Sequence, residues 1–177
     1  GTLDPDAVGV LPVCLGKATK VCDLLTNKDK TYQAILKLGI VTDTQDMSGK
    51  ITGQEEVNVS KEEIEAAVYS FVGDYDQIPP MYSALKVNGK KLYELAREGK
   101  EIERKARRIS IYQIKILEIL EKEAEVHFEV SCSKGTYIRT LCYDIGMKLG
   151  CGGCMKELIR TKVSQFDIDD SLKLSQV

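Results

Sequence analysis

The sequence has no tryptophan and a single histidine, His127, in 177 residues. One histidine leaves nothing from which to assemble a Ser-His-Asp triad and no histidine cluster to hold a metal. Two glycine motifs are also missing: no G-x-G-x-x-G follows a strand pattern, and no G-x-x-x-x-G-K-[ST] occurs. Dinucleotide and nucleoside-triphosphate chemistry therefore lack their usual backbone cradles. No apolar run approaches the roughly 20 residues a helix needs to cross a bilayer, and no signal-peptide pattern opens the sequence. Repeats and low-complexity tracts are absent as well. What remains is an ordinary globular composition, 43% hydrophobic and 29% charged, long enough to bury one substantial core.

Six cysteines (14, 22, 132, 142, 151 and 154) lie mostly among apolar neighbours. Without a secretory signal they read as reduced packing thiols of a cytosolic protein. The exception is Cys-Gly-Gly-Cys at Cys151–Cys154, since a C-x-x-C pair can be redox-active or half a zinc site. No second pair with zinc-finger spacing accompanies it, so packing is the default and no metal is expected. The net charge of −2 excludes a uniformly basic nucleic-acid binder, but the charge is segregated. Between Lys86 and Arg108 stand nine basic and four acidic residues, a local +5 that leaves −7 on the rest. Such a segment is a surface for a polyanion or a solvated face, and charge alone does not decide between them.

The chain opens on Gly-Thr-Leu-Asp-Pro, a turn around Asp4, and the apolar run Val8 to Leu15 reads as a buried strand behind it. "ATKVCDLLTN" predicts a short helix, and "KTYQAILKLG" a strand with Tyr32, Ala34, Leu36 and Leu38 on one face. After the polar loop "VTDTQDMSG", Ser60 and Glu63 form a capping-box start to a helix whose buried stripe is Ile64, Ala67, Val68 and Phe71. Pro79-Pro80, the Asn88-Gly89 turn and a short helix over 92–98 give a basic, turn-rich insertion at about 79–108 within one domain spanning 1–177. Two long strands then pair as a hairpin across Glu121–Glu123, with Glu125, His127, Glu129 and Ser131 on a solvated face. A helix begins near Thr136 and closes at Gly150, with Tyr137 and Arg139 off its buried stripe; "LIRTKVSQFDIDD" is a final strand, followed by a helical start. Strands of antiparallel type with scattered helices predict an α+β domain.

Any catalysis must then rest on a carboxylate, with tyrosines beside it and no redox cofactor. Carboxylates act at glycosidic carbons as nucleophile or base, although Asp6 lies too close to Asp4 in sequence to make a comfortable second carboxylate. Four blocks, "GTLDPDAVGVLPVCLGKATK", "KTYQAILKLG…TDTQDMSG", "PPMYSALKVNGKKLYELAREG" and "SKGTYIRTLCYDIGMKLGCGG", resemble the bacterial TruB-type tRNA pseudouridine synthases, in order and over essentially the whole chain. The resemblance implies a cofactor-independent isomerase, monomeric and cytoplasmic, that converts uridine 55 of the tRNA T-loop to pseudouridine. It implies the pseudouridine synthase fold, an α+β domain around a mixed, mostly antiparallel sheet flanked by helices. It further implies a segment before Gly1, carrying a histidine that contacts RNA, and a PUA domain after Val177.

Residue by residue, Asp4 matches the family's catalytic aspartate; read by itself it is a turn cap. Tyr32 matches the tyrosine that stacks on the target uracil and handles the C5 proton, and it also suits the core face of its strand. Arg139 matches the arginine that pairs with the catalytic aspartate and holds it as a carboxylate. Tyr137, Lys20 and Leu158 match positions lining the pocket. Arg160 and the basic segment, with Lys86, Lys90, Lys91 and Arg97, are expected to contact phosphates, the segment acting as a thumb over the T-loop. The rival readings are a guide-RNA-dependent synthase of the dyskerin type and a non-catalytic RNA-binding module.

Overall fold

Strict alternation of apolar side chains makes Lys30–Leu38 (β2) a strand with one buried face, and a computed structural model describing residues 2–176 places it near the middle of the main sheet. The other elements are, in order, β1 (Val8–Gly9), α1 (Cys22–Thr26), β3 (Ile40–Thr42), β4 (Ile51–Gln54), α2 (Lys61–Tyr69), β5 (Gly73–Gln77), β6 (Lys86–Val87) and β7 (Lys90–Lys91). They continue with α3 (Leu92–Arg97), β8 (Arg107–Leu120), β9 (Glu125–Cys132), α4 (Ile138–Leu149), β10 (Gly153–Val163) and β11 (Phe166–Asp167). The main sheet runs β1-β10-β2-β9-β8-β5, with β11 paired to β10; only the β1–β10 pair is parallel. Helices α2 and α4 cover its apolar face, where Leu36, Val126, Phe128, Val130, Leu141 and Ile145 form the fully buried centre.

The helix predicted from Ser60 forms as expected: the Ser60 hydroxyl accepts from the Glu63 amide at 3.1 Å and the Glu63 carboxylate accepts from the Ser60 amide at 2.7 Å. The basic insertion leaves the body between β5 and β8, which are themselves paired, so it projects from neighbouring strands. Within it, β6 and β7 form a hairpin across Asn88-Gly89, and Leu92 buries the start of α3.

Three expectations are corrected. The run Val8–Leu15 is not a buried strand: only Val8 and Gly9 pair with β10, and Val8, Leu11, Val13 and Leu15 stand exposed. The ladder ends at Gly9, with the Val10 amide its last donor, and Pro12 beyond it could not donate. Glu125 does not lie on a solvated face; it is buried, accepts from Lys156 Nζ at 2.5 Å, lies 3.4 Å from His127 Nε2, and that lysine holds its carboxyl below the usual range. The last long strand begins at Gly153 rather than near Leu158, so Cys151–Cys154 lies at its entry. There α4 touches β10 backbone to backbone: a Cβ on Gly146 would come within 2.2 Å of the Gly153 amide nitrogen. Cys151 and Cys154 are both buried, and burial pushes the Cys154 thiol up to about 11. Cys22, by contrast, is exposed.

Candidate active site

Asp4 owes its position to a turn and a tether. The Ala7 amide donates to the Asp4 carbonyl at 3.0 Å, closing a β-turn with Pro5 at its second position, where the fixed φ of proline fits. The chain is then locked to β10: Gly9 pairs with Arg160, and the Val10 amide donates to the Arg160 carbonyl at 2.8 Å. Only glycine serves at position 9, because its φ is +115° and a Cβ would meet the Arg160 carbonyl oxygen at 2.1 Å.

Arg139 reaches Asp4 from the first turn of α4. This helix has no side-chain cap of its own; buried Gln77 of β5 supplies one from a distance. The Gln77 side chain accepts from the Tyr137 amide at 2.8 Å and donates to the Tyr137 carbonyl at 3.0 Å, fixing the residue from which α4 starts. Arg139 is then aimed by four hydrogen bonds. Nε donates to Asp4 Oδ2 at 2.8 Å and Nη2 to Asp4 Oδ1 at 3.3 Å, a two-point pairing of fork and carboxylate. Nη1 donates to the Thr44 carbonyl at 3.0 Å and Nη2 to the Tyr82 carbonyl at 2.8 Å. The side chain of Arg139 is 5% exposed and that of Asp4 39%, so a buried cation presents a carboxylate whose other side remains open.

The carbonyl of Thr44 is itself held. Asp46 Oδ1 accepts from Thr44 Oγ1, the Ser48 amide and Ser48 Oγ at 2.7, 3.0 and 2.6 Å, and Thr140 Oγ1 of α4 donates to Gln45 Oε1 at 2.8 Å. The polar loop between β3 and β4 is thus a built support for Arg139. Across from Asp4, Tyr32 is 8% exposed, and burial together with the nearby Cys132 thiol pushes its phenol up to about 12, so it is neutral at neutral pH.

The structure brings Asp4, Tyr32, Tyr137, Arg139 and Leu158 to one pocket of about 110 Å³, and Asp4 and Leu158 also line an adjoining pocket of about 260 Å³. Lys20 is not among them: it stands exposed on a 3₁₀ turn, Gly16–Val21, and lines neither pocket. Arg160 is placed otherwise than expected. It is 2% exposed, its Nε donating to the Val10 carbonyl at 2.8 Å, so no phosphate reaches it in this arrangement. Its strand position, beside the tether of the N-terminal turn, buries it. Lys86, Lys90, Lys91 and Arg97 are outside both pockets, on the insertion whose base, at Tyr82, holds Arg139. Lys90 pairs with Glu98 at 3.5 Å, and Lys91 and Arg97 lie 5.4 and 5.2 Å from the centre of the Tyr93 ring. Among the described residues Lys86, Lys91, Arg97, Lys105 and Arg107 have no carboxylate partner, which leaves the segment an unneutralised cationic face. The sequence reading missed Gln77 and the carbonyls of Thr44 and Tyr82; the latter two lie inside the family-like blocks, whereas nothing marked Gln77.

A larger cleft of about 630 Å³ separates the insertion from the body and is lined by Asp144, Tyr143, Asp76 and Arg104. Burial pushes the Asp144 carboxyl up to about 6. A carboxyl whose folded pKa lies above its unfolded one loses stability as pH rises through that interval. Asp144→Asn is therefore expected to raise the melting temperature at about pH 8 and to leave it unchanged below about pH 4, as scanning calorimetry at the two values would read.

A family profile described as "TruB family pseudouridylate synthase (N terminal domain)" matches residues 1–138, and one described as "tRNA pseudouridylate synthase B C-terminal domain" matches residues 139–177. Their boundary falls in the first turn of α4, yet the Asp4–Arg139 pair and the β2–β10 ladder both cross it. The tRNA pseudouridine synthase B of Alkaliphilus oremlandii is 56% identical over 177 residues, covering 100% of this chain and 58% of that protein. That of Clostridium novyi is 60% identical over 177 residues, covering 100% and 61%. The chain spans about three fifths of the length of these curated relatives. Among solved structures, a chain of a Cbf5-Nop10-Gar1 complex superposes with a TM-score of 0.71 at 34% identity, over 94% of this chain and 40% of that one. A chain of an H/ACA RNP bound to a substrate RNA containing 2'-deoxyuridine gives 0.69 at 31%, over 98% and 40%. The fold is shared with these chains, and with the first profile covering residues 1–138, the chain belongs to the TruB family of pseudouridylate synthases.

Proposed function

We propose that this chain is the catalytic part of an enzyme that isomerises uridine 55 of the tRNA T-loop to pseudouridine, acting in the cytoplasm as a monomer with neither metal nor organic cofactor. The observation that carries this reading is the two-point Arg139–Asp4 pair facing Tyr32 across one pocket. In the reaction the C1′–N1 bond breaks, the uracil turns, a C1′–C5 bond forms, the C5 proton leaves and N1 gains a proton, so atoms and electrons balance without a redox partner. The Asp4 carboxylate, gripped at two points by Arg139, either attacks C1′ with N1 as leaving group or removes a ribose proton to give a glycal. A flipped base gains stacking to offset what it loses in the RNA, and Tyr32 offers a neutral aromatic ring and hydroxyl for that purpose. Tyr137 and Leu158 complete the walls of the pocket.

The sequence identity of 56–60% to proteins named tRNA pseudouridine synthase B, against 31–34% to chains of the Cbf5-Nop10-Gar1 and H/ACA RNP complexes, favours free tRNA as substrate. The test is product mapping: full-length protein incubated with unmodified tRNA transcript and no guide RNA should yield pseudouridine at position 55 alone. Modification only when a guide RNA is added would overturn the reading. The insertion serves here as a cationic thumb. Replacing Lys90, Lys91 and Arg97 together by glutamate should weaken tRNA binding and lower its salt slope by about 2 to 3, at roughly 0.7–0.9 for each phosphate no longer neutralised. Single-turnover rates at saturating enzyme should change far less. An unchanged salt slope would exclude this segment as the RNA surface.

A further inference from the structure

Arg160 has no assigned role once its burial removes it from the phosphates, and it occupies a singular place in the sheet. Its strand, β10, lies between β1 and β2, and its backbone pairs with Gly9 on one side and Tyr32 on the other. Cross-strand partners project to the same face, so the Arg160 side chain shares the inner face with the Tyr32 ring. One end of the guanidinium is committed to the N-terminal turn: Nε donates to the Val10 carbonyl at 2.8 Å, with Nη1 3.5 Å from the Thr2 carbonyl. The cationic guanidinium on that face works against the upward push that burial gives the Tyr32 phenol. A planar fork with five donors can serve carbonyls and a phenol at once, which a lysine cannot.

We infer that Arg160 is a positioning residue, a buried strut that holds the segment carrying Asp4 by hydrogen bonds and faces the Tyr32 phenol from the adjacent strand, so that it fixes the two relative to each other. This rests on the reading of Asp4 and Tyr32 as the catalytic pair. Asp4 is carried by a short turn with only two residues of ladder behind it, and Tyr32 by a central strand. The Arg139 clamp fixes the Asp4 carboxylate from the α4 side; it does nothing for the distance between that turn and the Tyr32 ring. Misplacement of such groups by about 1 Å is enough to slow a reaction roughly 100-fold.

The test uses full-length protein carrying Arg160→Lys, Tyr32→Phe, or both, with tritium release from 5-tritiated uridine in a T-loop RNA at saturating enzyme. Arg160→Lys should slow single-turnover release about 10- to 100-fold while RNA affinity and its salt slope stay within about twofold. Because the strut acts partly through the phenol, the penalty should shrink at least about fivefold in the Tyr32→Phe background. An equal penalty in both backgrounds, or a loss confined to RNA affinity with a flatter salt slope, would overturn the inference. Two resonances test it independently of activity. The Tyr32 Cζ signal should shift in Arg160→Lys, and the Arg160 Nη signals should shift in Tyr32→Phe, which keeps the arginine. If Arg160→Lys does not fold, or Tyr32→Phe brings release below detection, these resonances decide, and unmoved Arg160 signals in Tyr32→Phe refute the strut. Asp4→Asn serves as the control: retained release there would sink the catalytic reading, while the resonances would still report whether Arg160 holds Tyr32.

Discussion

Arg139→Lys is expected to lower turnover about 100-fold or more while the protein remains folded. The arginine makes four hydrogen bonds from one planar group: two to Asp4, one to the Thr44 carbonyl and one to the Tyr82 carbonyl. A lysine keeps the charge but presents a single nitrogen whose three donors point in tetrahedral directions, so it cannot pair in two-point fashion with a carboxylate and also reach two carbonyls on separate loops. Losing about two charge-assisted bonds, each worth roughly 1.5–3 kcal/mol, accounts for a factor of that size if the lost interactions position the reacting carboxylate. The carbonyls left unsatisfied should also lower the melting temperature by several degrees, at about 2–4 °C per kcal/mol for a chain of this length. Single-turnover kinetics with circular dichroism separates the two effects. Turnover near the unaltered rate would mean that Arg139 does not orient Asp4.

How much of this was legible beforehand depends on whether the signal was local. The helix from Ser60 and the alternation of β2 are set by neighbours within one turn or one strand, and both appear as read. The Asn88-Gly89 hairpin is equally local. The pocket was legible by another route, since Asp4, Tyr32, Tyr137, Arg139 and Leu158 were named from the family resemblance and do converge. Composition alone would not have joined a turn at position 4 to a helix at position 139.

The misreadings are of residues whose environment is set by distant segments. Val8–Leu15 is apolar enough for a strand, but ladder partners are a property of the sheet, and the pairing stops after Gly9. Arg160 was assigned to phosphates alongside the family-matched positions; beside the N-terminal segment, with Nε on the Val10 carbonyl, it is buried. Glu125 follows the polar side of its alternation in sequence, yet Lys156 from β10 neutralises it and allows burial. Gln77, which starts α4 in place of a cap, sits 60 positions from the residue it holds, and no short-range pattern encodes that.

The most direct measurement of the central claim is tritium release by Asp4→Asn. Asparagine has nearly the size of aspartate and caps turns as well, so the Asp4–Ala7 turn should persist and the melting temperature should fall only through the lost ion pair with Arg139. A neutral amide, however, is neither nucleophile nor base toward the ribose. The account predicts that the variant binds the T-loop RNA, remains folded, and releases no detectable tritium from 5-tritiated uridine. Release at a rate near that of the unaltered protein would contradict it and return Asp4 to the role of a turn residue.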